Sequence, residues 1–221
     1  MSDFSTQRQN MVDCQVRPSD VTDIRIIDAM LAVPREAFVP AGLRAMAYLD
    51  IDLDVAAPGA AKRFLIKPAV LARMLQAAEI KATENVLVVG CATGYSAAVL
   101  AQLAARVTAT EGDAGLVTRA GEAATGLGYG NISFAGAPAA GGYPANGPYD
   151  VIVLAGATEV TPTALYRQLT PGGRFVGVFA TTAPQRAMLV THSHDDFGSR
   201  ALFDATAPVV PGLERVPAFV F

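Results

Sequence analysis

Short runs of apolar residues alternate with helix-like segments along the second half of the chain. The apolar runs lie at 86–90, 106–110, 131–135, 149–154 and 173–179. The helix-like segments at 95–104 and 113–127 separate the first three runs, and the segment at 161–169 separates the last two. Strands that are apolar at successive positions are buried on both faces, and crossover helices between strands make them parallel. The pattern therefore predicts a doubly wound, mostly parallel α/β sheet.

The first 80 residues have a different pattern, which predicts a helical lead-in. One helix is expected from Asp20 until Pro34 ends it, and a second begins near Lys67-Pro68 and runs to residue 80. The stretch at 51–64 has no period and predicts a loop. No linker separates residues 1–80 from 81–221, so we expect a single domain over 1–221 with a helical lead-in and an α/β core.

The last third of the chain predicts the end of the sheet. The sequence TPGG at 170–173 is typical of a helix stop that leads into a strand. Residues 186–210 resemble a hairpin around Asp195–Gly198, so antiparallel strands are expected to complete the sheet.

Composition and charge exclude several classes of protein. The chain has 221 residues, of which 52% are hydrophobic and 17% charged, which is enough for a large core. The net charge of −3 gives no reason to expect a nucleic-acid partner. No stretch has the roughly 20 apolar residues that span a bilayer, and residues 1–20 lack the apolar centre of a signal peptide. The isolated Cys14 and Cys91 suggest reduced thiols, and we expect a cytoplasmic protein without a membrane partner.

The chemistry is concentrated at the junction that follows the first apolar run. Gly90, Ala92 and Gly94 come between a strand and a helix, where small residues let a ligand approach the backbone. Glu111 ends the next strand, where an acid can accept hydrogen bonds from both ribose hydroxyls of a nucleoside. The alternative is that the glycines only make a turn and that Glu111 is a solvated loop residue.

The spacing of the small residues favours one kind of cofactor. A dinucleotide site usually has the pattern G-x-G-x-x-G, whereas this turn has G-x-A-x-G and lacks the third glycine. The looser pattern is typical of S-adenosylmethionine sites, in which no pyrophosphate is held. Methyl transfer mainly requires an acceptor oriented in line with the methyl carbon, so the lack of an obvious catalytic triad agrees with it.

Several segments together resemble the protein-L-isoaspartate O-methyltransferase family. The resemblance covers nearly the whole chain and is carried by MVDCQVRPSDVTDIRIIDAMLAVPREAFVP at 11–40, the turn segment at 86–104, PYDVIVLAGA at 148–157 and LYRQLTPGGRFVGVF at 165–179. It implies a seven-stranded, Rossmann-like methyltransferase sheet whose last strands depart from the usual order. It also implies transfer of a methyl group from S-adenosylmethionine to an isoaspartyl carboxylate of a damaged peptide or protein.

The chain departs from the family pattern at the acceptor. The family has a Thr-Ile-Ser-Gln-Pro stretch whose serine is associated with the acceptor carboxylate, and here Ile66 stands in the place of that serine. An isoleucine cannot donate a hydrogen bond, and a buried carboxylate without donors is unfavourable. Lys67 could supply a cation instead, or could be a surface lysine at a helix start.

The cofactor side departs from the family as well. Val88 and Ala92 replace an acid and a glycine, and Gly136-Ala137 replaces a Gly-Asp pair that lies near the adenine. We therefore assign Gly90, Cys91, Ala92, Gly94, Glu111, Gly136 and Ala137 to the cofactor and expect weak affinity for it. Within this set, Cys91 is expected to be a small residue near the ligand.

Five other polar residues are candidates for a site. His192 and His194 are two apart, but they lack a third ligand at metal spacing, so we expect no metal site. Asp150, Tyr95 and Arg35 could line a pocket or have a structural role.

The sequence leaves three functions open. The first is an isoaspartyl methyltransferase, the second a methyltransferase for a less charged acceptor, and the third a catalytically silent relative that binds a ligand or partner. A dinucleotide oxidoreductase fits the turn less well. The sequence does not predict the oligomeric state.

Overall fold

The computed structural model describes residues 3–194 and 196–216, which fold around a seven-stranded sheet. The strands of this sheet are β3 (Asn85–Val89), β4 (Arg106–Glu111), β5 (Ile132–Gly136), β6 (Tyr149–Thr158), β7 (Leu169–Phe179), β8 (Arg186–Ser193) and β9 (Asp196–Asp204). Their order is β5-β4-β3-β6-β7-β8-β9, with parallel pairs from β5 to β7 and antiparallel pairs from β7 to β9. This confirms the predicted fold class, including the mostly parallel sheet and the antiparallel finish.

The helices have the bounds α1 (Phe4–Met11), α2 (Ile24–Ala32), α3 (Pro68–Ala78), α4 (Tyr95–Ala101), α5 (Ala114–Gly126) and α6 (Thr163–Tyr166). Helix α2 is capped by the Asp23 side chain, which accepts the Arg25 N–H, and α3 begins at Pro68 as predicted. Asp113 caps α5 by accepting the Leu116 N–H. Within the described residues, no helix is long and apolar enough to cross a membrane.

The lead-in packs directly on one face of the sheet. Buried residues from Met11 to Tyr48 belong to the same apolar cluster as Val86, Val88 and Val151 of the central strands. The other face of the sheet, with Leu87 and Ile152, forms a second cluster that includes Leu165 of α6. The lead-in and the sheet thus share one buried cluster, and the single domain stays a prediction.

Three local expectations are corrected. The loop expected at 51–64 contains part of a small antiparallel hairpin of β1 (Leu53–Asp54) and β2 (Phe64–Leu65). The helix expected at 161–169 is reduced to α6, because β7 already begins at Leu169. The TPGG stretch therefore lies inside β7, where the register with β6 shifts. The β8–β9 hairpin is present as predicted, but residues 196–198 of the expected turn belong to β9, where they pair with residues 191–193 of β8, and Asp195 lies outside the described residues.

Candidate active site

The turn after β3 lies where the direction of winding reverses. Strand β3 is flanked by β4 on one side and by β6 on the other, so its carboxyl end opens into the crevice in which doubly wound sheets bind ligands. Gly90, Ala92 and Gly94 all have positive φ, of 72°, 49° and 96°. The backbone therefore bends as predicted, but at Ala92 it does so with a side chain that disfavours this conformation.

Glu111 faces this turn from the end of β4. Its Oε2 accepts the Ala92 N–H at 3.0 Å, and its Oε1 accepts the Gly112 and Asp113 N–H groups at 2.8 and 3.2 Å. Glu111 is only 3% exposed, which contradicts the alternative of a solvated loop residue. The carboxylate is thus fixed by backbone donors next to the small residues of the turn.

The second predicted cofactor pair lies beside Glu111. Gly136 is the register partner of Glu111 across β4 and β5, and the Ala137 N–H donates to the Glu111 carbonyl at 3.0 Å. Gly136 is exposed and has open space where a side chain would project. The structure therefore brings the predicted cofactor residues to one edge of the sheet, but their role toward a cofactor stays a prediction.

Cys91 is buried within the turn. Burial, and then the nearby Glu111 charge, raises the pKa of its thiol far above the usual value. A thiol that stays protonated is a poor nucleophile, which supports its assignment as a small space-filling residue.

Ile66 lies against the turn and away from solvent. It is 3% exposed and, together with Cys91 and Tyr95, lines a cavity of about 10 Å³. The Arg35 guanidinium donates to the Ile66 carbonyl at 3.0 Å and to the Ala47 carbonyl at 2.8 Å. The position that would face an acceptor therefore presents an apolar wall.

Lys67 is engaged at the start of α3. Its backbone N–H donates to Asp52 Oδ1 at 3.0 Å, and its ammonium lies 3.9 Å from Asp52 Oδ2. Burial raises the pKa of the Asp52 carboxyl. This pairing gives Lys67 a structural partner and favours the surface-lysine alternative.

Arg35 is the largest fully buried charged residue of the site. It is 1% exposed and its guanidinium lies 4.5 Å from the centre of the Tyr95 ring. Burial lowers the pKa of Arg35 and raises that of Tyr95. Because Arg35 donates to the carbonyls of Ala47 and Ile66, it holds the Ile66 segment in position, and it lines the same cavity of about 10 Å³.

The remaining candidates have structural contacts. The His192 ring lies 3.1 Å from both the Leu169 and Thr170 carbonyls, while His194 is in the left-handed region with φ 53°. Asp150 accepts the Asn85 N–H at 2.8 Å at the amino end of β6, opposite the turn. The described residues contain no cluster of three or more metal-ligating side chains.

Two residues that the sequence analysis did not single out fill the hollow beside the turn. Arg63 Nε lies 2.9 Å from Glu111 Oε1. Val210 packs over Gly90 so closely that a Cβ added at Gly90 would lie 2.7 Å from its Cγ1. The space that remains is about 20 Å³, whereas ligand pockets usually have about 300–1,000 Å³. In this conformation the hollow does not admit an adenosine group.

Sheet order, turn and buried acid together define a Rossmann-like methyltransferase. The family model for protein-L-isoaspartate(D-aspartate) O-methyltransferase matches residues 6–206. The chain belongs to this family. It is 37% identical to protein-L-isoaspartate O-methyltransferase 1 of Rhodopseudomonas palustris strain HaA2 over 91% of this chain and 81% of the relative. With the Roseiflexus enzyme it shares 36% identity over 97% of this chain and 99% of the relative.

Solved structures support the fold. A protein-L-isoaspartate O-methyltransferase superposes with a TM-score of 0.83 over 94% of this chain and 67% of that chain, at 24% identity. A Plasmodium falciparum protein described as a putative member of this family, in complex with S-adenosyl-L-homocysteine, gives a TM-score of 0.76 over 95% and 99%, at 16% identity.

Proposed function

We propose that this protein is an S-adenosylmethionine-dependent O-methyltransferase that methylates isoaspartyl carboxylates in damaged peptides or proteins. The observation that carries the proposal is the position of Glu111. A buried carboxylate at the carboxyl end of the second parallel strand, directly beside the glycine turn, is the arrangement that binds ribose hydroxyls in Rossmann-like sites.

The proposed cofactor residues have separate roles. Glu111 would hold the ribose, while Gly136 and Ala137 at the end of β5 would face the adenine. Gly90 and Ala92 would lie under the rest of the cofactor. When bound, this cofactor supplies an electrophilic methyl group, and the protein's contribution is orientation and exclusion of water. Since the hollow is filled in this conformation, these roles require it to open.

The residues at the expected acceptor position favour an acceptor with less charge than an isoaspartyl carboxylate. Ile66 offers no hydrogen-bond donor, and Lys67 is engaged with Asp52. A second candidate is therefore a methyltransferase for a less charged acceptor, which the apolar wall at Ile66 favours because an unpaired carboxylate is unfavourable there.

We also propose that the protein acts in the cytoplasm. Its two cysteines are unpaired, Cys14 exposed and Cys91 buried, which suits a reducing compartment.

A direct assay tests the proposed function. Purified protein is incubated with methyl-labelled S-adenosylmethionine and an isoaspartyl peptide, and the label on the peptide is counted before and after base treatment, which releases methyl esters and leaves other methyl groups bound. The aspartyl peptide of the same sequence and a peptide amide are the controls. Label on the isoaspartyl peptide alone supports the proposal, label on the neutral acceptor alone supports the second candidate, and no label on any acceptor contradicts both.

A further inference from the structure

We propose that Arg63 is a gate on the nucleoside site, whose guanidinium must leave Glu111 before a cofactor can enter. This inference rests on the proposed function and adds a competing group within the chain itself. The Arg63 Nε to Glu111 Oε1 distance is 2.9 Å, and the side chains are 14% and 2% exposed. The ion pair is therefore formed inside the hollow rather than on the surface.

The hydrogen bonds at Glu111 show why Arg63 competes with a ribose. Among the described residues, Oε1 accepts from Arg63, Gly112 and Asp113, and Oε2 accepts from Ala92. A carboxylate oxygen has about two lone-pair directions, so Oε1 has no acceptor position left for a hydroxyl. The Gly112 and Asp113 N–H groups remain on Oε1 after Arg63 leaves, so the acceptor position open to a ribose hydroxyl is the second lone pair of Oε2. Departure of Arg63 clears the space beside the carboxylate without breaking the backbone hydrogen bonds that fix it.

Arg63 directly precedes β2 of the small hairpin, and its position there allows its side chain to move. Its carbonyl accepts the Val55 N–H at 2.8 Å, next to the paired residues of β1 and β2. The connecting residues 57–62 are exposed. Segments with few buried contacts have low local stability, so this connection can shift more easily than the sheet.

Val210 forms the opposite wall of the hollow and is held more firmly. The Val210 N–H donates to the Ala157 carbonyl at 2.9 Å, and the Ala157 N–H donates to the Pro208 carbonyl at 2.8 Å. A Cβ added at Gly156 would lie 2.6 Å from Val210 Cγ2. Because backbone bonds tie this wall to β6, Arg63 is the part of the closure that moves.

The expected consequence is a gain in affinity when the guanidinium is removed. A ligand that needs an open state binds more weakly in proportion to the fraction of molecules that are closed. A hydrogen bond to a charged group usually contributes enough to change an equilibrium by about tenfold or more. We therefore expect Arg63→Gln to lower the dissociation constant of S-adenosylhomocysteine by about tenfold.

Isothermal titration with S-adenosylhomocysteine tests the gate in wild type, Arg63→Gln and Lys62→Gln. Lys62 is exposed at the rim of the hollow, and the described structure shows no contact of its side chain with Glu111, so Lys62→Gln removes the same charge and keeps the Arg63–Glu111 pair. Tighter binding by Arg63→Gln alone supports the gate. Equal binding by all three proteins overturns it, and equal tightening by both variants also overturns it because bulk charge would then be the cause.

A second variant and a second measurement keep the test decisive. If Arg63→Gln unfolds at the assay temperature, Arg63→Lys replaces it, because lysine retains the charge but lacks the Nε–H that contacts Oε1. Failure of the gate differs from failure of the proposed function. If wild type equals Arg63→Gln both in its affinity for S-adenosylhomocysteine and in methyl-ester formation, only the gate is overturned. Absence of both binding and ester formation in every variant overturns both.

Discussion

Glu111→Gln removes one charge from the centre of the candidate site with almost no change in shape. The carboxylate has four donors around it, namely Arg63 and the N–H groups at 92, 112 and 113. A glutamine amide offers one acceptor oxygen and one NH₂ group. If its oxygen takes the place of Oε1, the NH₂ group faces the Ala92 N–H, and two donors then oppose each other.

The expected loss of stability follows from the burial of the Arg63–Glu111 ion pair. Glu111 and Arg63 side chains are 2% and 14% exposed, so the substitution leaves a largely buried guanidinium without its counterion. Breaking a buried pair from one side costs about 3–5 kcal/mol, and because Arg63 retains some solvent we expect about 3 kcal/mol. For a chain of this size, that free energy corresponds to a fall in Tm of about 6–12 °C.

Thermal unfolding followed by circular dichroism, with Glu122→Gln as the control, measures the effect. Glu122 lies exposed on α5, so the same substitution there is expected to leave Tm nearly unchanged. In an Arg63→Gln background, Glu111→Gln should lower the free energy of unfolding by clearly less than in wild type, because no unpaired guanidinium is left. If Glu111→Gln shifts Tm by under about 2 °C, or if the two substitutions add without coupling, the argument for a stabilising buried pair is refuted.

Four further predictions concern single side chains. Ile66→Ser should increase methyl-ester formation on the isoaspartyl peptide and lower stability by about 2–4 kcal/mol, because a buried isoleucine is lost. Ala92→Gly should raise stability by about 0.5–1 kcal/mol in urea unfolding, since it relieves a positive φ. Because burial raises the pKa of Asp52, wild-type stability falls as the pH rises through that pKa. Asp52→Asn should therefore be more stable than wild type at neutral pH, as measured by urea unfolding, and this gain in stability should vanish near pH 3. A thiol reagent should label Cys14 rapidly and leave Cys91 unmodified in the folded protein, as counted by mass spectrometry.

Each of these has a result that would contradict it. Unchanged ester formation by a folded Ile66→Ser protein would show that the serine position does not limit turnover. A loss of stability in Ala92→Gly would mean that the buried methyl group outweighs the strain. For Asp52, exposed Asp28→Asn is the control, and a pH-independent difference would exclude desolvation as the cause. Labelling that persists in Cys14→Ser before unfolding would place reactivity at the buried thiol.

The sheet could be predicted from sequence because its strands are buried on both faces. Runs such as VLVV in β3 and VIVL in β6 are apolar at every position, which is what a parallel strand under two layers requires. Helix α1 has no such signal, since FSTQRQNM is mostly polar. Distant contacts hold it in place: Arg8 pairs with Glu36 at 3.2 Å and donates to the Leu31 carbonyl at 3.1 Å. Those partners are far along the chain, so no local pattern predicts them.

The candidate site shows the same division between local and distant signals. Glu111 could be predicted because its distance from the glycine turn follows from one strand-helix-strand unit. Arg63 belongs to a segment without a period, and only the pairing of β1 with β2 brings it to the end of β4. Val210 reaches the turn from 120 positions along the chain, through a short parallel contact with Ala157.

Small residues in a turn clear space, but they do not determine what enters it. Gly90 and Gly156 leave room for Val210, and any side chain at either position would clash with it. The same absence of side chains is what a nucleoside requires in order to approach the backbone. Since Val210 is tied to β6 by backbone hydrogen bonds, whereas Arg63 reaches Glu111 only through its side chain, the two groups differ in how readily they can yield. Under the proposed gate, the affinity of the turn for a cofactor is set by the competition between the Arg63 guanidinium and a ribose for the space beside the Glu111 carboxylate.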